Sequence, residues 1–570
     1  MHALKFRKIF LTIAASVLLL TSAALCRAAS GEAPSQQRLE LLNDIGVKGS
    51  HFYLYSPEHP NLEFTMSPML NSVIFVYSDK PYAGQAEVWE ALKRLGLLEL
   101  AEREAAYIIV PRPLNGRTWE ATDLKVYFES QYYLAGGDVV GQDGMLPKFQ
   151  YQRRVYNNQQ YIVAEGSGAS FVNNVLSQHA ERIAGILTFG GQLADSVKGG
   201  LAVPAYLVAP DRAAFAYYKA VNQVDTETSA GVFENSRYKL KKVIRVDGLA
   251  HFEAGAISAA WQQIFSRTAR ACVTDNVVLN NKTTSEWVLM DRPNYKALGI
   301  TRVDHKQGVL PGGSQTTWYD FVPDKVMGNP QMKAPLVIVL HGYGDDPIYQ
   351  AESNGWVAKA AQENFILISP DYPGMSAEGE KTVMQVVAYA KSKYPVDESR
   401  IYLSGFSMGG GSTAMIGIKD VQTFASIAVM GASGAPVDAS TDLSVQKRLG
   451  LPFVMIIGTA DSLNVQTDGN GVKCIGSGLF KGGLEALMSI NGLATENRNC
   501  SMYPYWGYPT TGAEMVLARN LRYDVSYGRK EGAEKPIAKF VLFENAGHAH
   551  SDQYATLAWD FLKQFSRAAN

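Results

Sequence analysis

The order of strands and turns in the second half of this chain repeats an order already present in the first half, and that repetition constrains the fold more than any other feature. In the second half, Ala334 to Leu340 (APLVIVL) is a β-rich apolar run that opens into His341-Gly342-Tyr343-Gly344. A helical stretch from Trp356 to Gln362, a buried strand from Phe365 to Ser369 and the turn Asp371-Tyr372-Pro373 follow. Helical spacing from Thr382 to Tyr394 then leads to the strand Arg400 to Ser404, a glycine turn and a helix of small residues. The first half runs through Ser72 to Tyr77, a helix around Trp89 to Leu95, Ala106 to Pro111, and Tyr161 to Ala164 entering Gly166-Ser167-Gly168-Ala169. Later parts match best: Ile186 to Gly191 parallels Ile427 to Ala432, and Val203 to Asp211 parallels Leu451 to Asp461. Val243 to Arg267 parallels Lys539 to Arg567, with His251 falling on His548 and Trp261 on Trp559. Strands alternating with helices demand parallel sheets, so the expected architecture is α/β, two tandem domains with mostly parallel sheets.

The two copies need about 250 residues each, which fits a chain of 570 residues. Lys5, Arg7 and Lys8 precede an apolar run from Ile9 to Leu25 that ends in small residues, the pattern of a secretory signal peptide over residues 1–28. A first domain is then expected over 29–272, a linker over 273–316 around a Pro-Gly-Gly, and a second domain over 317–570. No later apolar run is long enough to cross a bilayer, so no stable membrane insertion is expected. With 53 basic and 54 acidic side chains the net charge is -1, which argues against a nucleic-acid partner. Of the four cysteines, Cys26 leaves with the leader. Cys474 and Cys500 share one Gly- and Asn-rich stretch and could pair in an oxidising compartment, with Cys272 left over; three isolated buried thiols are the alternative. The spacings match no zinc pattern.

Gly405-Phe406-Ser407-Met408-Gly409 has the form of a nucleophile elbow, in which a tight strand-to-helix turn exposes a serine oxygen. A serine hydroxyl is a weak nucleophile without a base, so a carboxylate and a histidine are required later in the chain. Asp461, in a turn after the strand Phe453 to Ile457, and His548, just beyond the strand Lys539 to Glu544, stand in that order. His550 competes for the base; Gly547 and the alignment with His251 favour His548. Backbone N–H groups of Tyr343 and Met408 are assigned as the oxyanion hole, the second at a helix start.

Residues 317 to 567 resemble the α/β-hydrolase superfamily, in particular its poly(3-hydroxybutyrate) depolymerase and feruloyl or acetylxylan esterase group. The resemblance is carried by Tyr319 to Pro323, Leu340-His341-Gly342-Tyr343, the elbow, Gly458-Thr459-Ala460-Asp461 and Gly547-His548-Ala549. It implies ester hydrolysis through an acyl-serine with no metal or organic cofactor, the partner being an ester substrate, small or polymeric. Where the group carries an aromatic residue and proline after the Gly-His, this chain has Ala549-His550-Ser551. The first copy offers Ser167, Asp211 and His251 to the same alignment, but Asp79 would bring negative charge to its oxyanion turn, so a degenerate copy is expected. The stretch between acid and histidine is longer in the second copy, which reads as an insertion around 464–530. Its Tyr503, Tyr505, Trp506 and Tyr508 are expected either to cap the cleft as a surface for aryl or polymeric acyl groups or to pack against their own domain. The functional expectation is a secreted or periplasmic serine esterase, with a peptidase using the same triad or a noncatalytic binding protein as alternatives.

Overall fold

The computed structural model describes residues 33–44, 48–58, 72–135, 140–141, 144–145, 159–248, 252–272, 287–343, 345, 347–435, 437, 441–476, 482–518 and 521–567. The expected signal segment and His251 lie outside the described residues. Two ten-stranded sheets dominate. The first contains β1 (Leu39–Asn43), β2 (His51–Tyr55), β3 (Val73–Tyr77), β4 (Tyr107–Pro111), β5 (Gln160–Glu165), β6 (Ile183–Phe189), β7 (Ala205–Val208), β8 (Thr226–Ser229), β9 (Val232–Glu234) and β10 (Lys242–Val246). The second contains β11 (Ile300–Val309), β12 (Gln315–Pro323), β13 (Ala334–Leu340), β14 (Ile366–Pro370), β15 (Val396–Phe406), β16 (Ser426–Met430), β17 (Phe453–Gly458), β18 (Thr511–Ala518), β19 (Leu521–Gly528) and β20 (Ala538–Phe543).

The first sheet is ordered β1-β2-β4-β3-β5-β6-β7-β10-β9-β8 and the second β11-β12-β14-β13-β15-β16-β17-β20-β19-β18, the same order position for position. In both, the central strands run parallel and both edges are antiparallel, so "mostly parallel" holds for the middle of each sheet. The duplication extends to packing. Tyr161 lies 5.6 Å from Trp261 between ring centres, and at the same places in the second copy Tyr402 lies 5.6 Å from Trp559.

Central strands are apolar throughout because both of their faces are covered. Along β13, Leu336, Ile338 and Leu340 enter one core while Val337 and Val339 enter the core on the opposite face, all fully buried. The strand's period of two therefore feeds two hydrophobic layers at once.

Three boundaries differ from the sequence expectation. The region read as a linker contains β11, which pairs with β12 and begins the second sheet, and Trp287–Asp291, which pairs with Thr268–Cys272 in a two-stranded ribbon. The polar, half-exposed residues of β11 leave no apolar run to read. The supposed insertion of 464–530 includes β18 and β19, which are edge strands of the common sheet with counterparts in β8 and β9. What is extra in the second copy is the hairpin Val465–Thr467/Lys473–Ile475 and the loop that Cys474–Cys500 ties to it. Among the described residues no helix is long and apolar enough to cross a membrane.

Candidate active site

Ser407 is placed by the junction between β15 and the helix Met408–Lys419. Its backbone sits at φ 57° and ψ −118°, a region that costs a non-glycine residue about 1–3 kcal/mol and is held only where surrounding structure imposes it. The glycines around it make that turn possible. A Cβ on Gly409 would lie 2.1 Å from the Leu340 carbonyl oxygen, and one on Gly405 would lie 2.3 Å from the Gly409 carbonyl oxygen. Only hydrogen fits at either place, so the helix can start directly against β13 and lift the serine oxygen clear of the sheet.

His548 and Asp461 arrive from loops at the ends of β20 and β17. His548 Nε2 is 2.7 Å from Ser407 Oγ, and His548 Nδ1 is 3.0 Å from Asp461 Oδ2. The imidazole and the carboxylate are 5% and 1% exposed, so their attraction is not diluted by solvent. With the carboxylate accepting from Nδ1–H, Nε2 is left with its lone pair toward the serine hydroxyl. The three residues read from the sequence are therefore brought together in hydrogen-bond contact.

Asn464, which sequence reasoning did not single out, fixes the acid. Its Nδ2 donates to Asp461 Oδ2 and to the Gly431 carbonyl oxygen, both at 2.9 Å, while the Leu463 N–H donates to Asp461 Oδ1 at 3.1 Å. The short turn Asp461-Ser-Leu-Asn464 is the signal that could have found it. On the histidine loop, the Tyr554 hydroxyl donates to the Ala549 carbonyl oxygen at 2.9 Å. Burial, reinforced by the charge of Asp461, pushes that hydroxyl's pKa far up, which keeps it a donor.

The turn to which the sequence reading assigned the oxyanion hole follows β13. His341 is buried, with Nδ1 at 2.8 Å from the Gly342 carbonyl oxygen and Nε2 at 3.1 Å from Asp371 Oδ1. Its ring thus shapes the turn that carries the Tyr343 N–H, while the Tyr343 side chain is 73% exposed. The Met408 N–H is the first amide of its helix, a position without an intrahelical acceptor and favourable to negative charge. His550, the competing imidazole, does not reach Ser407 in place of His548; its Nε2 is 2.9 Å from Asp345 Oδ2 in the loop after β13.

Trp506 departs from the expected aromatic surface. It is 5% exposed, with its ring 4.7 Å from that of Phe540, and Tyr508 is buried beside it. These two rings pack the loop against its own domain, while Tyr503 and Tyr505 remain half-buried.

In the first copy, strand register corrects the alignment. Tyr77 pairs with Ala164 as Leu340 pairs with Gly405, which puts Gly166, not Ser167, at the position of Ser407. Gly166 has φ 57°, the same as Ser407, but no side chain. Ser167 falls on Met408, and its N–H donates at 2.8 Å to Asp79 Oδ1. A Cβ at Gly166 would meet that carboxylate oxygen at 2.1 Å. Asp211 caps the helix Arg212–Val221, accepting from the Ala214 N–H at 2.7 Å.

No protein-family model matches the chain. Curated relatives do. One is a bifunctional acetylxylan esterase/xylanase from Neocallimastix patriciarum, 28% identical over 242 residues, covering 41% of this chain and 31% of that protein. A feruloyl esterase B from Neurospora crassa is 30% identical over 136 residues, 21% of this chain and 45% of that one. A poly(3-hydroxyalkanoate) depolymerase C from Paucimonas lemoignei is 26% identical over 154 residues, 24% of this chain and 35% of that one. The similarity is to ester hydrolases. It is the resemblance that the elbow and the His-Gly turn carried, although the chain spans less than half the length of each of these relatives.

Proposed function

We propose that this protein is a secreted or periplasmic serine esterase that cleaves carboxylic esters through an acyl-serine, with its second domain catalytic and its first silent. The observation that carries this reading is the continuous chain Ser407 Oγ, His548 Nε2, His548 Nδ1, Asp461 Oδ2, with both links at hydrogen-bond length. Ser407 Oγ attacks the ester carbonyl carbon while His548 Nε2 takes its proton. Charge moves to the carbonyl oxygen, where the Tyr343 and Met408 amides receive it without reorganising. Collapse breaks the bond to the alcohol, which leaves with the proton from His548. Water then attacks the acyl carbon as His548 takes its proton, and His548 gives that proton to Ser407 Oγ as the bond to the acyl carbon breaks and the carboxylic acid departs. Throughout, Asp461 orients the ring and stabilises its charged form.

The silence of the first domain rests on chemistry: glycine stands where the nucleophile should be, and Asp79 occupies the amide that would receive an oxyanion. Export rests on the leader-like segment, and the substrate class on the esterase and depolymerase relatives. For aryl or polymeric acyl groups, the aromatic contacts proposed are Tyr503 and Tyr505; Trp506 is part of the core and faces no substrate. Hydrolysis of p-nitrophenyl acetate should fall by about 10⁴-fold or more in Ser407→Ala with the melting temperature preserved. Turnover that survives this change would refute the assignment. A panel of acetyl, longer acyl, feruloyl and polyester substrates, run on the wild type, would fix the acyl group.

A further inference from the structure

The triad leaves one buried imidazole beside it unused. His550 is 3% exposed, and its ring centre lies 4.1 Å from that of Phe406, which also lies 4.8 Å from the ring of His548. Nδ1 of His550 faces Ser353 Oγ at 3.1 Å and Asn354 Oδ1 at 3.2 Å. The Ser353 hydroxyl gives its only hydrogen to the Tyr349 carbonyl oxygen at 2.5 Å, so toward His550 it can only accept. Asn354 Oδ1 also accepts from the Ser551 N–H at 3.3 Å, which fixes it as the oxygen. Nδ1 of His550 is therefore a donor and carries a proton. Nε2 faces the Asp345 carboxylate at 2.9 Å, an arrangement that needs a second proton between nitrogen and oxygen. Taken together, imidazole and carboxylate form a pair with no net charge.

That neutrality matters because of where Asp345 sits. Its N–H donates to the Gly342 carbonyl oxygen at 3.2 Å, closing the turn that carries the Tyr343 amide. A Cβ built on Gly342 would lie 2.9 Å from Asp345 Oδ2 and 3.3 Å from Ser407 Cβ, so carboxylate and nucleophile flank the same face of Gly342. An uncompensated carboxylate there would oppose the negative charge that develops during acyl transfer.

We propose that His550 and Asp345 are a positioning pair for the acyl-transfer reaction: His550 supplies the proton that cancels the Asp345 charge, and the pair anchors the oxyanion turn to the loop bearing His548. This rests on the serine esterase reading above. Such a pair acts on the transition state and leaves ester binding alone, so its signature is in kcat and not in KM.

The test measures kcat and KM for p-nitrophenyl acetate in the full-length wild type and in His550→Gln, Asp345→Asn, Asp345→Ala and the His550→Gln/Asp345→Asn double variant, with thermal melting of each. His550→Gln leaves the carboxylate charged and is expected to lower kcat about 100-fold with KM within about threefold, the size of a lost oxyanion contact. Adding Asp345→Asn removes the charge and should recover at least about tenfold of that loss, a rescue that a packing role for His550 would not produce. A double variant no better than His550→Gln, a change confined to KM, or an unaltered kcat in His550→Gln would each overturn the proposal. Should His550→Gln fail to fold, the aspartate variants decide: both are expected to lower kcat, Asp345→Ala at least about tenfold more than Asp345→Asn, which keeps a hydrogen-bonding side chain, and equal rates for the two would overturn the pair. A wild type without turnover would remove the esterase reading and this proposal with it, whereas an active wild type with a flat variant series would remove the pair alone.

Discussion

At the scale of single residues, each member of the candidate triad is held in place by a neighbour. Ser407 is held by glycines that admit only hydrogen, His548 by Asp461, and Asp461 by Asn464. Ser407, His548 and Asp461 were legible in the sequence as candidates because acyl transfer demands those side chain types in that order and because Gly405, Gly409 and Gly547 flank them. Their supports were not. Asn464 and Asp345 are polar residues in loops, and only the fold shows what their side chains reach. The first copy illustrates the limit, since a serine between glycines drew the alignment to Ser167 whereas strand pairing puts Gly166 at the nucleophile's place. Asn464→Ala removes one hydrogen bond to the acid and one to the Gly431 carbonyl oxygen. It is expected to lower kcat about tenfold with little change in KM, as supports of a reactive ligand or base commonly do, and steady-state kinetics on a chromogenic ester would show it.

At the scale of elements, the central strands were readable because burial on both faces turns them into continuous apolar runs. Edge strands obey no such rule. Thr226–Ser229 is exposed at every position, and Ile300–Val309 alternates charge with half-buried residues, so neither stood out. The acidic loop also carries an element that the first copy lacks, the hairpin that begins at Val465, one residue after Asn464. Cys474 in this hairpin is bonded to Cys500 across 26 residues of chain. A cross-link closing a loop of that size is worth about 2–4 kcal/mol. Replacing both cysteines by serine should therefore lower stability by about that amount in a denaturant titration, and the wild type under reductant should fall to the same midpoint. A midpoint that reductant does not move would show the bond to be irrelevant to the fold.

At the scale of the whole molecule, two sheets of identical strand order carry unequal chemistry. The strand order is the same in both halves, but Ser407 stands at the turn of one and Gly166, with Asp79 accepting from the next amide, at the turn of the other. The halves are joined through more than a tether. The ribbon of Thr268–Cys272 and Trp287–Asp291 leads to Arg292, which approaches Glu352 of the second domain at 3.7 Å, and Tyr295 donates to the same carboxylate. A silent first domain makes a simple demand: Ser167→Ala should leave ester turnover within about twofold of wild type, since surface changes away from a site rarely matter more. A loss of tenfold or more on that change would return a catalytic role to the first copy.

In the proposed reaction one serine of the chain, Ser407, is the acyl acceptor. Labelling the protein with a fluorophosphonate and mapping the adduct by peptide mass spectrometry tests it most directly. The adduct is expected on the peptide containing Ser407, formed with the wild type and lost in both Ser407→Ala and His548→Ala. An adduct on Ser167, or full ester turnover by a protein that takes no label, would contradict the account.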